Sequence, residues 1–424
     1  MLKQYSDMEK QINKQLDKYK SIQGLMRYIN VQSLYEIHGK QNGNKATGID
    51  KVDKEQYSID TKDKLEQLIK TMKEHRYRPL PVRRVEIPKP NGKTRPLGIP
   101  SYEDKLVQAK MAEILNIIFE RYFKDFSYGF RPNRSCHQAI DKIDKTIMNE
   151  KVNFIVEADI KGFFDHVNHD ILLRMLKVVI KDRDFIELVR RFLKAGYMQN
   201  GEFNETEEGT PQGGVISPIL ANLYLHVVLD NWFENEFKNL CKGTAQLVRY
   251  ADDFVGMFQY EEDAKMFYEM LIKRFSQFNL EIEPAKTKIF PFGRNTKENN
   301  AFDFLGFTIT NGKTRNGYYK VDYVTSKKKS KLKYKGLLDF IKTNRTTKPK
   351  DLIKQLNRKL IGLYNYYGIS GNYKWLDNIY KFVTRTLKKW LSRRSQRGEI
   401  SWTKLNGIIK YNPLIKPKIN FQLW

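Results

Sequence analysis

The stretch LVRYADDFVGMF, Leu247 to Phe258, sets two adjacent carboxylates, Asp252 and Asp253, between two apolar, β-prone runs. Such runs read as two strands joined by a tight turn. Carboxylates beside a packed sheet are costly unless cations, hydrogen-bond donors or water compensate them. Whatever this chain folds into must therefore supply that compensation at one end of a sheet. An Asp-Asp pair alone is most often a solvated turn, so its meaning depends on its company.

That company begins with NFIVEADI, which reads as a buried strand ending in Asp159, followed by NHDILLRMLKVVI, a helix with Asn168 as its cap. Although 93 residues separate Asp159 from Asp252, a carboxylate at one strand end and a pair in a neighbouring hairpin turn can converge. Three oxygen-rich side chains on one edge suit hard divalent cations such as Mg²⁺. Two such ions ~3.5–4 Å apart activate an attacking hydroxyl and stabilise a leaving pyrophosphate.

The flanking segments alternate between strand and helix signals. VRRVEIPKPNGKTRPLGIP reads as a hairpin with basic arms turning at Asn91-Gly92. Ser101 and Asp104 have capping-box spacing, and Val107, Met111, Ile114, Leu115 and Ile118 recur along one helical face. GTPQGG is a turn; Ser217 then caps a helix with Pro218 at its first position and Leu220, Leu223, Tyr224 and Val227 as its buried stripe. An amphipathic stretch runs from about Glu262 to Phe278, and AFDFLGFTI is a short apolar segment. Residues 1 to about 45 read as a charged helix leading into the loop QNGNKATGID.

The 424 residues, 40% hydrophobic, suffice for two or three globular units. Lysine and arginine number 76 against 49 acids, a net charge of +27 that points to a polyanionic partner, nucleic acid first. Residues 320–424 carry 26 basic and 5 acidic side chains, so 21 of the 27 excess charges sit there. Tyr364, Tyr366, Tyr367, Trp375, Tyr380, Trp390 and Trp402 are interleaved among them; most are expected to pack helices. Cys136 and Cys241, the two cysteines, suggest neither a disulfide framework nor a zinc site. The charged start MLKQYSDMEKQINKQLDKYK lacks a signal-peptide core, and no window approaches ~18 apolar residues. The expectation is a soluble, cytoplasmic protein with no membrane association.

The segments ATGID, RVEIPKPNGKTRPLGIPSYEDKLVQ, SYGFRPNRSCHQAI, EADIKGFFDHVNHDIL, GTPQGGVISPILANLYLHVVLD, RYADDF, EPAKTKI and FDFLGF occur in that order. In this series the chain resembles the reverse transcriptases encoded by bacterial group II introns, the intron maturases, over nearly its whole length. The resemblance implies an α+β right-hand polymerase, with fingers, a palm of antiparallel sheet plus helices, and a helical thumb. It implies an N-terminal extension over 1–50, fingers and palm over 51–319, and a basic thumb and maturase region over 320–424. Asp159, Asp252 and Asp253 become the catalytic acids, Asp159 and Asp252 as direct ligands of two Mg²⁺ ions, for which Mn²⁺ can substitute, and Asp253 as support. The Ile160 carbonyl helps hold the nucleotide-bound metal.

Lys89 and Arg95 match positions that contact the incoming triphosphate, a role suited to a point charge and a fork; ordinary hairpin decoration is the competing account. Phe164 matches the steric gate that favours dNTPs over NTPs, where the alternative is plain core. Gln212 matches a position near the templating pair, with the neighbouring glycines letting backbone approach nucleic acid; a plain Gly-Pro turn is the competing account. Lys286 matches a lysine near the triphosphate that protonates pyrophosphate, and Phe304, Leu305 and Gly306 match the primer grip, where a packed strand is the equal alternative. His166 and His169 are expected to be structural or exposed, and Asp165 a hydrogen-bonding scaffold.

The implied partners are RNA template and primer strand, an RNA/DNA duplex, dNTPs and structured intron RNA. Many family members end in an HNH endonuclease domain, but here no histidine follows His226 and no cysteine follows Cys241, so second-strand cleavage is not expected. Two other readings stay open: a domesticated reverse transcriptase acting in phage defence on a non-coding RNA, and a splicing cofactor with vestigial polymerase activity. The intact carboxylates count against the latter.

Overall fold

The computed structural model describes residues 6–88, 92, 94–394 and 398–423. It divides into two compact units: the first runs up to Ala139 and takes in Val156–Gly256 and Glu262–Lys288, while the second comprises Ile140–Ile155, Met257–Glu261 and the chain from Ile289 onward.

The first unit opens with α1 (Asp7–Tyr19) and α2 (Val31–Lys40), two helices where one was expected. Gly24, at φ 68°, breaks the run before a 3₁₀ turn at Leu25–Tyr28, and Asn30 and Ser33 form a reciprocal capping box that restarts it. The ATGID loop packs tightly next, since a Cβ on Gly48 would lie 2.6 Å from the Ser101 Cα. Arg83 clasps the Thr47 carbonyl through Nε and Nη2 at 3.0 and 2.7 Å. Two helices, α3 (Lys54–Ser58) and α4 (Thr61–Lys73), lead to the basic hairpin β1 (Val82–Pro88) and β2 (Thr94–Ile99). The pair is antiparallel, with Arg83 opposite Ile99 and Pro88 opposite Thr94.

Helix α5 (Tyr102–Phe119) starts at the expected cap, where Ser101 Oγ accepts the Asp104 amide at 3.2 Å. The box is not reciprocal, because the Asp104 carboxylate instead accepts the Tyr77 hydroxyl at 2.5 Å and the Leu80 amide at 3.0 Å. Val107, Met111, Ile114, Leu115 and Ile118 are fully buried, each stabilising the fold by roughly 1.5–3 kcal/mol as an upper estimate. Then come α6 (Cys136–Asn149), β3 (Phe154–Ala158), α7 (His169–Val179), α8 (Arg183–Leu193), β4 (Tyr197–Gln199) and β5 (Glu202–Asn204). Asn168 caps α7 as expected, accepting the Ile171 amide at 3.0 Å.

Helix α9 (Ser217–Leu225) corrects two expectations. Ile216 is already helical, so Ser217 is the first helical residue rather than the cap, and its hydroxyl donates to the Pro211 carbonyl at 2.9 Å. The helix continues through π turns at His226–Asp230 and Phe233–Phe237. The extra residue per turn rotates the stripe, leaving Val227 half-exposed while Val228 and Leu229 are buried. Strands β6 (Ala245–Tyr250) and β7 (Asp253–Phe258), helix α10 (Glu261–Ser276) and strand β8 (Lys288–Pro291) follow. The strands form two four-stranded sheets, ordered β2-β1-β4-β5 and β6-β7-β3-β8.

The second unit holds a third sheet, order β11-β10-β9, from β9 (Ala301–Phe304), β10 (Phe307–Lys313) and β11 (Tyr319–Thr325). AFDFLGFTI is therefore a hairpin, turning at Leu305 and Gly306, both at positive φ (49° and 82°). Because β11 pairs with β10 through Thr325, residue 320 lies inside a strand and the basic helices begin beyond it. They are α11 (Lys327–Thr343), α12 (Pro349–Tyr367), α13 (Tyr373–Ser392) and α14 (Trp402–Tyr411). Leu352, Leu356 and Leu360 on α12 and Leu376, Ile379 and Val383 on α13 are buried at helical spacing. Tyr364 and Tyr367 join that core, Tyr366 stacks on Phe307 at 5.9 Å, and Trp375 Nε1 donates to Ser330 at 2.8 Å. Mixed helices and largely antiparallel sheets, with one parallel contact between β1 and β4, give the α+β class expected. Among the described residues, no helix is long and apolar enough to cross a membrane.

Candidate active site

Strands β3 and β7 are sheet neighbours, and the Asn153 amide at the start of β3 donates to the Phe258 carbonyl at the end of β7, 2.9 Å away. The pairing is thus antiparallel, and stepping six residues up from Asn153 and six back from Phe258 reaches Asp159 and Asp252. That register brings the C-terminal end of β3 to the turn carrying both carboxylates. Burial raises the carboxyl pKa of Asp252, the Asp159 charge adds to the rise, and Arg95 and Arg249 pull against it. Asp253 is exposed at the first position of β7.

Lys286 comes to the same place from a 3₁₀ turn at Pro284–Lys286, where its Nζ forms an ion pair with Asp159 Oδ2. That hydrogen bond raises the ammonium's pKa, and the charges of Asp159, Glu283 and Asp253 add to it. The segment is fastened to β3 by Glu283 N to Asp159 O at 2.8 Å and Lys161 N to Glu281 O at 2.9 Å. These bonds flank an antiparallel bridge between Ile160 and Ile282, so the Ile160 carbonyl is not spent on it.

The turn itself rests on residues that sequence reasoning passed over. Ala251 adopts φ 58°, a left-handed conformation costing a non-glycine residue roughly 1–2 kcal/mol. Arg249, fully buried, pairs with equally buried Asp230 through Nε at 2.7 Å and Nη2 at 2.5 Å. Its Nη1 reaches Asn222 Oδ1 at 3.1 Å and the Ala251 carbonyl at 2.9 Å. Burial pushes the Asp230 carboxyl up, but the Arg249 charge and the surrounding donors outweigh it and hold the carboxyl below its ordinary value. The SYGFRP segment straps this strand, with Arg249 N to Phe126 O at 2.9 Å and Tyr128 N to Arg249 O at 2.8 Å. Arg131, buried, donates to the Lys124 and Ser127 carbonyls at 2.7 and 2.6 Å and so shapes the strap. The available signal was the presence of Arg249 inside RYADDF and of Gly129 inside SYGFRP; nothing local marked their partners.

On the hairpin side, Arg95 Nε donates to Gln212 Oε1 at 2.7 Å, and Gln212 Nε2 donates to Asp165 Oδ1 at 3.3 Å. Asp165 is thus a scaffold, as expected. The Gln212 carbonyl accepts the Gly98 amide at 2.6 Å, and a Cβ on Gly213, at φ 109°, would lie 2.7 Å from the Gly98 carbonyl. Gly213 thus permits a close approach to the protein's own β2. Phe164, half-buried, meets Phe163 edge-on at 5.3 Å and lines a cleft of about 370 Å³ with Pro96, Phe192, Tyr197 and Gln212. His169 is buried and bonds the Gly209 carbonyl at 2.6 Å, while His166 Nδ1 lies 3.2 Å from Glu208. Lys89 lies outside the described residues. In the second unit, the Leu305 carbonyl accepts the Tyr366 hydroxyl at 2.8 Å, and the Gly306 carbonyl accepts the Ser326 amide at 3.0 Å.

Comparison with known proteins gives the family. Residues 87–309 match the family model described as reverse transcriptase (RNA-dependent DNA polymerase). The chain belongs to the reverse transcriptase family. Residues 334–406 match the group II intron maturase-specific domain, so this reverse transcriptase carries the intron-associated region as well. It is 47% identical over 169 residues to the group II intron-encoded protein LtrA of Lactococcus lactis subsp. cremoris, covering 39% of this chain and 28% of LtrA. It is 34% identical over 310 residues to protein YkfC of Escherichia coli K12, covering 65% of this chain and 78% of YkfC. An uncharacterized 91 kDa protein in the cob intron of Schizosaccharomyces pombe is 42% identical over 173 residues, 41% of this chain and 21% of that protein.

Reverse transcriptases use divalent metal ions, and the donor set here fits one. Two hard carboxylates come together at the sheet end, burial keeps the Asp252 carboxyl raised even against Arg95 and Arg249, and Lys286 pairs with Asp159. Among the described residues, no three carboxylate, histidine or cysteine side chains form a ready cage. Backbone and substrate oxygens would complete the coordination of a bound cation.

Proposed function

We propose that the protein is an RNA-directed DNA polymerase that also serves as a maturase for its group II intron RNA. The observation that carries the reading is the pairing of β3 with β7, which sets Asp159 against the Asp252 turn. Asp159 and Asp252, with the Ile160 carbonyl, would hold two Mg²⁺ ions, or Mn²⁺ in their place, and Asp253 supports them. When bound, those ions supply activation of the primer hydroxyl and neutralisation of the departing pyrophosphate. Arg95, together with Lys89, orients the triphosphate. Phe164 crowds the ribose 2′ position and selects dNTPs. Gln212, clamped by Arg95, borders the templating pair, and Lys286, kept protonated by Asp159, holds a proton for the leaving pyrophosphate.

Residues 51–319 form the polymerase region behind an N-terminal extension over 1–50, and the thumb and maturase helices start after Thr325, where β11 ends. Their excess positive charge suits template-primer duplex and structured intron RNA, in a cytoplasmic setting without a membrane. The test is primer extension on an RNA template with dNTPs and Mg²⁺. Wild type should extend, and Asp252→Asn should lose at least ~10³-fold in rate while still binding RNA. Extension undiminished in Asp252→Asn would refute the assignment.

A further inference from the structure

Arg249 is charged, large and wholly buried, a combination that the polymerase roles above leave unexplained. A buried ion pair is seldom the most stabilising way to fill a core, because an apolar pair of similar volume often serves better. Its planar fork, however, does something an apolar residue cannot: it binds three partners at fixed angles. Two are the Asp230 carboxylate and the Asn222 amide oxygen, and the third is the Ala251 carbonyl, 2.9 Å from Nη1. Ala251 is the left-handed residue whose backbone turns the chain from β6 into the carboxylate pair.

Asn222 links this lock to the strap, since its Nδ2 donates to the Gly129 carbonyl at 2.6 Å. Gly129 in turn lies so close that a Cβ there would sit 2.2 Å from the Ala251 amide nitrogen. The turn is thus gripped on its carbonyl by Arg249 and against its amide by Gly129, and both grips run through Asn222.

We propose that Arg249 is a positioning residue for the reaction: buried against Asp230 and Asn222, it holds the Ala251 carbonyl and so aims Asp252 at Asp159. The inference rests on Asp252 being a catalytic carboxylate, yet the contact can be tested without activity. Because Arg249→Ala would strand a buried Asp230, two other variants are used in the full chain. Arg249→Lys keeps a charge but can reach only one or two partners, and the double variant Arg249→Met with Asp230→Leu removes both members of the pair, leaving the buried His226 ring, 3.8 Å from Asp230, without its carboxylate.

Amide hydrogen exchange of the 250–254 and 127–130 peptides should speed up at least about tenfold in both variants, with α5 and α8 unchanged. In primer extension, kcat should fall about 100-fold while the KM for dNTP stays within about threefold, the signature of misplacement rather than lost binding. A folded double variant with wild-type exchange at the turn and wild-type kcat would overturn the proposal, as would exchange that rises evenly across the unit. If wild type extends no primer but the turn still loosens selectively in the variants, the positioning contact stands and the polymerase reading falls.

Discussion

Gly129 has no room for a methyl group, because the atom it would meet is backbone of the carboxylate turn. Gly129→Ala should therefore cost about 1–3 kcal/mol as an overpacked site and depress extension more than RNA binding; a thermal melt paired with the extension assay reads both. Phe164 belongs to the same scale. Truncating it to Ala should open the cleft beside Gln212 and Pro96 and raise ribonucleotide incorporation relative to dNTP by about 10–200-fold. Unchanged sugar selectivity would remove it from the gate. At this scale the sequence was partly legible. Asp159, Asn168, Ser101 and the Asp-Asp turn announce themselves through local signals, namely a strand ending, a cap and a hairpin turn. Arg249 and Asp230 do not, since a buried charge finds its partner 19 residues away across a π-helical turn, a pairing without periodicity.

At the scale of elements, alternation and helical spacing located β1, β2, β3, β6, β7, α5 and α7, because each owes its form to neighbours in sequence. What escaped depended on tertiary partners. The SYGFRP strap is irregular and bonds to β6 more than 100 residues on, and the π turns after α9 carry no local marker. Asp144, on the part of α6 that belongs to the second unit, supplies a pH test there. Burial pushes the Asp144 carboxyl up to about 6, and Asp141 adds to the rise, while Tyr323 and Lys145 oppose it. A raised acid binds its proton more firmly when folded than when unfolded, so its contribution is greatest below the unfolded value and fades as pH rises through about 6. Asp144→Asn should flatten that dependence, and it should raise the melting temperature near pH 7.5 by about 2–4 °C, allowing about 1 kcal/mol after screening. A melting profile across pH 4–8 with the wild-type slope retained would contradict this.

Across the whole molecule, composition spoke plainly. The concentration of positive charge beyond residue 320 points to a polyanionic partner, and the match of 334–406 to the maturase-specific domain falls within it. Lys328, Lys331 and Lys335 stand exposed on α11. If they face RNA phosphates, reversing all three to glutamate should reduce the slope of log affinity against log salt by about 2, which filter binding over a salt series measures. An unaltered slope would move the RNA to another face.

We propose that Asp159 and Asp252 form one cation site, which Mn²⁺ titration followed by electron paramagnetic resonance, with and without a dNTP, puts to the test. Wild type should bind Mn²⁺ there, a second ion arriving with the nucleotide, and Asp159→Asn and Asp252→Asn should each weaken that binding by at least about tenfold. Wild-type Mn²⁺ binding in both folded variants would contradict the account.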